Sequence, residues 1–124
     1  MGNAKGSVSR VTAIALRFPE ATRADHGSHA QFLAKKKTFA YFLDNHHGDG
    51  IVSICCKVLP GDNASLVKSD AKRFYLPAYI GSRGWVAYRL DLGNVDWEEV
   101  EELLKTSYVL CAPKKLAALV QQAD

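Results

Sequence analysis

The chain has 124 residues, 48% of them hydrophobic, with a formal net charge of +3 and 3 cysteines. That length suits one domain with a core of its own, without metals or disulfide staples. No apolar run approaches about eighteen residues, and Met1 to Lys5 lacks the charged-then-apolar order of a secretory leader, so one soluble, cytoplasmic domain spanning 1–124 without membrane contact is expected.

Val8, Val11, Ile14, Ala15 and Phe18 recur at near-helical spacing after Ser7, which reads as an N-cap, and Pro19 ends the pattern. Glu20 to Ser28 is polar and reads as a loop. Two short aromatic runs follow, HAQFLA (29–34) and TFAYFL (38–43), with Lys35, Lys36 and Lys37 on the hairpin turn between them. After the turn formers DNHHGDG (44–50), IVSICCKV (51–58) puts Val52, Ile54, Cys56 and Val58 on one face and Ser53 and Lys57 on the other, completing a three-stranded antiparallel meander.

Pro60, Gly61 and Asp62 open a short helix to about Ser69 with Leu66 and Val67 as its apolar contacts. FYLPAYI (74–80) holds Pro77, which lacks an amide donor, and so reads as an edge strand or an extended loop. GSRG (81–84) is a tight turn into an alternating strand, WVAYRLDL (85–92). Asp96 and Glu99 fit the N-cap and N3 positions of a capping box. Trp97, Val100, Leu103, Leu104 and Tyr108 form the buried stripe of the helix they open, with Glu98, Glu101 and Glu102 facing water. Pro113 precedes a last helix, 114–122. Helices packed on one face of an antiparallel sheet satisfy both amphipathic sets, which gives a two-layer α+β domain with Phe39, Ile54, Trp97, Leu103 and Leu104 in its core.

FPEAT (18–22), KTFAYF (37–42), KVLPG (57–61), FYLPAYIGSRGWV (74–86), VDWEEVEELLKTSY (95–108) and APKK (112–115) occur in this order. As an ordered set they resemble the MmcQ/YjbR family, from about Val11 to Leu116. The resemblance implies an α+β two-layer YjbR-like fold, grouped with secretion-chaperone-like and frataxin-like architectures. It also implies a DNA-binding role, since members are often labelled predicted DNA-binding proteins, although that label comes with no assigned residues.

For chemistry, His26 and His29 lie three apart and His46 and His47 bring the histidines to 4, but no cysteine or clustered acid stands at ligand spacing. No metal and no cofactor are expected. Cys55, Cys56 and Cys111 form neither a disulfide framework nor a Cys-x-x-Cys pattern, and in a strand Cys55 and Cys56 point to opposite faces, so reduced, buried thiols are expected. G-x-S-x-G, HExxH, P-loop and G-x-G-x-x-G motifs do not occur, which points away from an enzyme.

The net charge conceals an asymmetry. Residues 1–95 carry 13 Lys and Arg against 7 Asp and Glu, whereas 96–124 carry 3 against 6. A basic body of this kind permits contact with a polyanion but falls short of a dedicated nucleic-acid module. Lys35, Lys36, Lys37, Lys57, Arg73, Arg83 and Arg89 with Tyr79 and Trp85 are the residues expected to contact phosphates and stack on bases. Two partners fit: DNA, bound weakly and mainly through phosphates, or a protein that docks on a sheet face or on the Tyr-Leu-Pro-Ala-Tyr segment. The charge pattern favours the first.

Overall fold

The structure, a computed structural model, describes residues 4–122. Helix α1 (Ala4–Ala15) leads into strands β1 (Ala21–His26), β2 (His29–Ala34), β3 (Lys37–Asp44) and β4 (Val52–Lys57), then helix α2 (Asp62–Ser69), strands β5 (Phe74–Tyr75) and β6 (Trp85–Arg89), and helices α3 (Trp97–Cys111) and α4 (Lys114–Gln122). The strands form a single antiparallel sheet in the order β1-β2-β3-β4-β6-β5. The α+β class and the helical layer expected from the periodicities are both present.

Registers show how the apolar residues come to one face. Ala40, Cys56 and Val86 lie side by side across three strands, and so do Phe42, Ile54, Tyr88 and Phe74. On this face α1 contributes Val11, Ile14 and Ala15, and α3 contributes Val100, Leu103, Leu104 and Tyr108. Helix α4 packs on α3 and adds Val120 to the same core.

One irregularity shapes the core. The β2–β3 register shifts between Phe32, opposite Ala40, and Leu33, opposite Thr38, so Phe39 is the extra residue of a bulge. Phe39 and Ala40 are therefore both buried although they are consecutive, which strict alternation forbids. The carbonyl of Phe39 leaves the ladder and accepts a hydrogen bond from the Ser107 hydroxyl at 2.5 Å, while the same Oγ accepts from the Lys57 amide at 2.7 Å. A serine on the buried side of α3 thus joins the bulge to the end of β4.

Several sequence expectations change. The polar stretch 20–28 is not a plain loop, because Ala21–His26 forms edge strand β1; with little of it buried, it shows no apolar alternation. Ser7 lies inside α1, which already runs at Ala4. FYLPAYI contributes only the two residues of edge strand β5, ahead of Pro77. The last strand ends at Arg89 rather than Leu92, and Leu92 is exposed. Strand β4 is buried from Val52 to Cys56 on both faces: on the helix-free side Tyr75 covers Ser53, bonding its hydroxyl at 2.9 Å, and the segment after β5 folds over Cys55. Asp96 caps α3 by accepting from the Glu98 and Glu99 amides, but its own amide donates to the Tyr88 hydroxyl, so the capping box is only half present. Trp97 is half-buried at the edge of the core with the Arg10 guanidinium 4.4 Å from its ring centre.

Candidate nucleic-acid interface

The antiparallel ladder decides which charges share an end of the sheet. The β2–β3 turn, the end of β4 at Lys57 and the start of β6 at Trp85 all lie at one end, since Ala40 pairs Cys56 and Lys57 pairs Trp85. The second half of α3 reaches the same place, through the bonds of Ser107 to Phe39 and Lys57. Helix α4 starts there, two residues after α3 stops. Lys35, Lys36, Lys37, Lys57, Arg83, Lys114 and Lys115 therefore converge on one end from four separate segments.

None of these seven cations has an ion-pair partner among the described residues. Two carboxylates stand near them: Glu20, whose carbonyl accepts from the Lys35 amide, and Asp62, at the start of α2. The other carboxylates of the sheet, Asp25, Asp44, Asp49 and Asp91, gather at the opposite end, where β1 and β3 finish and β4 begins. Lys57 and Arg83 line one open cleft of about 480 Å³ together with Pro60, Ser82, Gly84 and Leu110. The turn that carries Arg83 is fixed to α2, because Asn63 Nδ2 donates to the carbonyls of Gly81 and Trp85. Gly81 suits this close approach, since a Cβ there would meet that of Leu76 at 3.2 Å, a tight contact that Leu76 would have to relieve.

Two expected contact residues leave the set. Arg73 lies toward the helix side, 5.9 Å from the centre of the Tyr88 ring, and donates to the Gly93 carbonyl. Arg89 is at the acidic end and gives two hydrogen bonds of 3.0 Å to Asp91. Burial alone would raise the Asp91 carboxyl, but the Arg89 guanidinium together with backbone hydrogen bonds at Asp91 and Val52 holds that group below the ordinary range. Lys114 and Lys115 join the set instead. They had a sequence signal of their own: two lysines in the first turn of a helix, at the positive end of its dipole, stand where cations are disfavoured.

The helix-free face carries Trp85 and, diagonally across β4, Tyr41, with ring centres 5.6 Å apart. Beyond Tyr41 a smaller cavity of about 220 Å³ opens between β3, β4 and the loop 76–80, lined by Leu43, His46, Cys55, Pro77, Ala78, Tyr79 and Ile80. His26 Nε2 bonds the Gln31 side chain, and His29 Nε2 bonds the Asp44 carbonyl. No group of 3 or more His, Cys, Asp or Glu among the described residues could hold a metal ion.

Cys55 and His46 border the same cavity, but burial pushes the Cys55 thiol up to about 12, and the nearby Asp49 adds to it. Burial also raises Cys56 and Cys111. A thiol held protonated is a poor nucleophile at neutral pH. With a thiol reagent at neutral pH, the native chain is expected to release no rapid thiolate signal from Cys55 or Cys56, whereas the denatured chain reacts fully. Two fast thiols in the native protein would contradict the burial of this pair.

A search among curated proteins gives no match. Among solved structures, the crystal structure of Deinococcus radiodurans protein DR2400, which carries a DUF419 domain, superposes with a TM-score of 0.67 at 22% identity, covering 83% of this chain and 76% of that one. This likeness concerns the fold. No helix of the described residues is long and apolar enough to cross a membrane. A family model named YjbR matches residues 16–110, from the end of the first helix to the last turn of α3, so the chain belongs to the YjbR family.

Proposed function

We propose that this chain is a non-catalytic domain that binds DNA weakly through its phosphates, using the basic end of the sheet. The observation that carries the reading is the convergence of Lys35, Lys36, Lys37, Lys57, Arg83, Lys114 and Lys115, none with an ion-pair partner among the described residues, opposite an end rich in carboxylates. Unpaired cations gathered from four segments repel one another and gain little from the protein itself. A polyanion removes that repulsion and is oriented by the charge separation. The lysines at the start of α4 add to this, because a phosphate there meets both ammonium groups and the helix dipole. Phosphate contacts of this kind position a ligand and carry no sequence information, so sequence preference is slight.

With three to five phosphates neutralised, the slope of log affinity against log salt on duplex DNA is expected to be about −3 to −4.5. Replacing Lys35, Lys36 and Lys37 together with serine weakens binding on all sequences alike and flattens that slope by about 1 for each phosphate no longer neutralised. Fluorescence anisotropy at low and physiological salt measures both quantities. Absence of binding at low salt with tens of micromolar protein would overturn the reading. A protein-docking adaptor would then lead, supported by the exposed Leu76 and Tyr79 beside the 220 Å³ cavity.

A further inference from the structure

The helix-free face holds a row of rings that phosphate binding does not use. Trp85, the cross-strand partner of Lys57, has its ring centre 5.6 Å from that of Tyr41. Tyr41 and Tyr79 line the same cavity. Tyr79 lies 6.5 Å from His47, His47 lies 3.9 Å from His46, and His46 lies 5.1 Å from His29. The row starts at the basic end and runs along β3 toward the opposite end, from the level of Phe39 to that of Asp44, over about 16 Å at the usual rise of a strand.

Tyr79 is the most telling member. It is 85% exposed at a φ of 68°, a left-handed conformation that a bulky side chain seldom adopts. The loop does not hang free: Gly81 N bonds the Pro77 carbonyl, Arg83 N and Trp85 N bond that of Ile80, and Asn63 ties the far side to α2. A fixed loop in a disfavoured conformation holds a large ring out into water, and such strain points to a role outside folding.

We infer that this face is a stacking track for unpaired bases, so that the nucleic acid anchored at the basic end is single-stranded; the inference rests on the phosphate-contacting reading above. Bases in a duplex are stacked on each other and cannot offer their faces to Trp85, Tyr41 or Tyr79, whereas a single strand can place phosphates on Lys57 and Arg83 and bases on the rings beside them. Stacking accepts any base, which agrees with slight sequence preference. Asp44 and Asp49 at the far end repel phosphate and limit the track.

The test uses the whole chain with a short labelled single strand and the duplex of the same sequence, followed by anisotropy at one salt concentration. The single strand is expected to bind about tenfold tighter than the duplex. Tyr79→Ser should lower single-strand affinity by roughly tenfold and leave duplex affinity unchanged, while Tyr79→Phe, which keeps the ring, should bind like the parent. Since Tyr79 is exposed, neither change threatens the fold. The single strand should also quench Trp85 fluorescence, a signal that Trp85→Phe removes. Equal affinity for the two forms, or Tyr79→Ser binding the single strand as the parent does, would overturn the track and leave the basic end standing. If the parent binds neither form, both readings fall and the rings are a protein-docking surface instead.

Discussion

Replacing Ser107 with alanine is expected to destabilise the protein by roughly 2 to 4 kcal/mol, a large effect for the removal of one oxygen. Ser107 is fully buried, and its hydroxyl serves two backbone groups at once, donating to the Phe39 carbonyl and accepting from the Lys57 amide. The bulge removes the Phe39 carbonyl from the ladder, and β4 ends at Lys57, so neither group has a strand partner in its place. Alanine leaves both unsatisfied, each costing about 1 to 3 kcal/mol when no water replaces the hydroxyl. Urea denaturation of the two proteins, compared at equal slope, measures the difference. A change under about 0.5 kcal/mol would mean that the bulge and the end of β4 satisfy themselves in another way. Since Lys57 sits at this junction, the variant should also weaken nucleic-acid binding if the basic end is the interface.

Tyr108→Ala is expected to cost about 3 to 5 kcal/mol, as for other buried aromatics. Tyr108 is fully buried, stacks on Phe18 with ring centres 4.9 Å apart and meets the edge of Phe39 at 5.1 Å, so its ring joins the segment after α1, the bulge and α3. Its hydroxyl donates to the Pro19 carbonyl at 2.6 Å. Tyr108→Phe removes only that bond and should cost about 0.5 to 1.5 kcal/mol. The comparison separates packing from hydrogen bonding: near-equal destabilisation by the two variants in thermal or urea unfolding would show that the bond, and not the ring, joins these elements. A typical domain has only about 5 to 15 kcal/mol in total, so the alanine variant falls close to the limit of folding.

Local pattern was enough for α3, where Val100, Leu103, Leu104 and Tyr108 fall on one stripe and Asp96 caps the first turn. It also sufficed for β2 and β3, whose aromatic runs flank the lysine turn, and for the family. It failed at β1, because an edge strand with polar residues on both faces has no alternation to read. It placed Phe39 in the core, where it is fully buried, but gave no sign that Ala40 beside it is buried as well, because a bulge breaks the period of two on which the reading depends. Ser107 had a signal of its own, a polar residue on the apolar phase of a helix, but its two partners are 68 and 50 residues away and come from other elements.

The charged residues mark the same boundary. Composition already disclosed a basic body and an acidic C-terminal stretch, since these depend only on residue type and position along the chain. Which cations share a surface depends on strand order and register. Antiparallel pairing brings the lysine turn, Lys57 and Arg83 to one end, and the return of α3 along the sheet adds Lys114 and Lys115. The same geometry carries Arg89 to the far end, where Asp91 neutralises it, and Arg73 toward the helices. Side-chain identity is local, but an electrostatic surface sums over neighbours that only long-range pairing brings together.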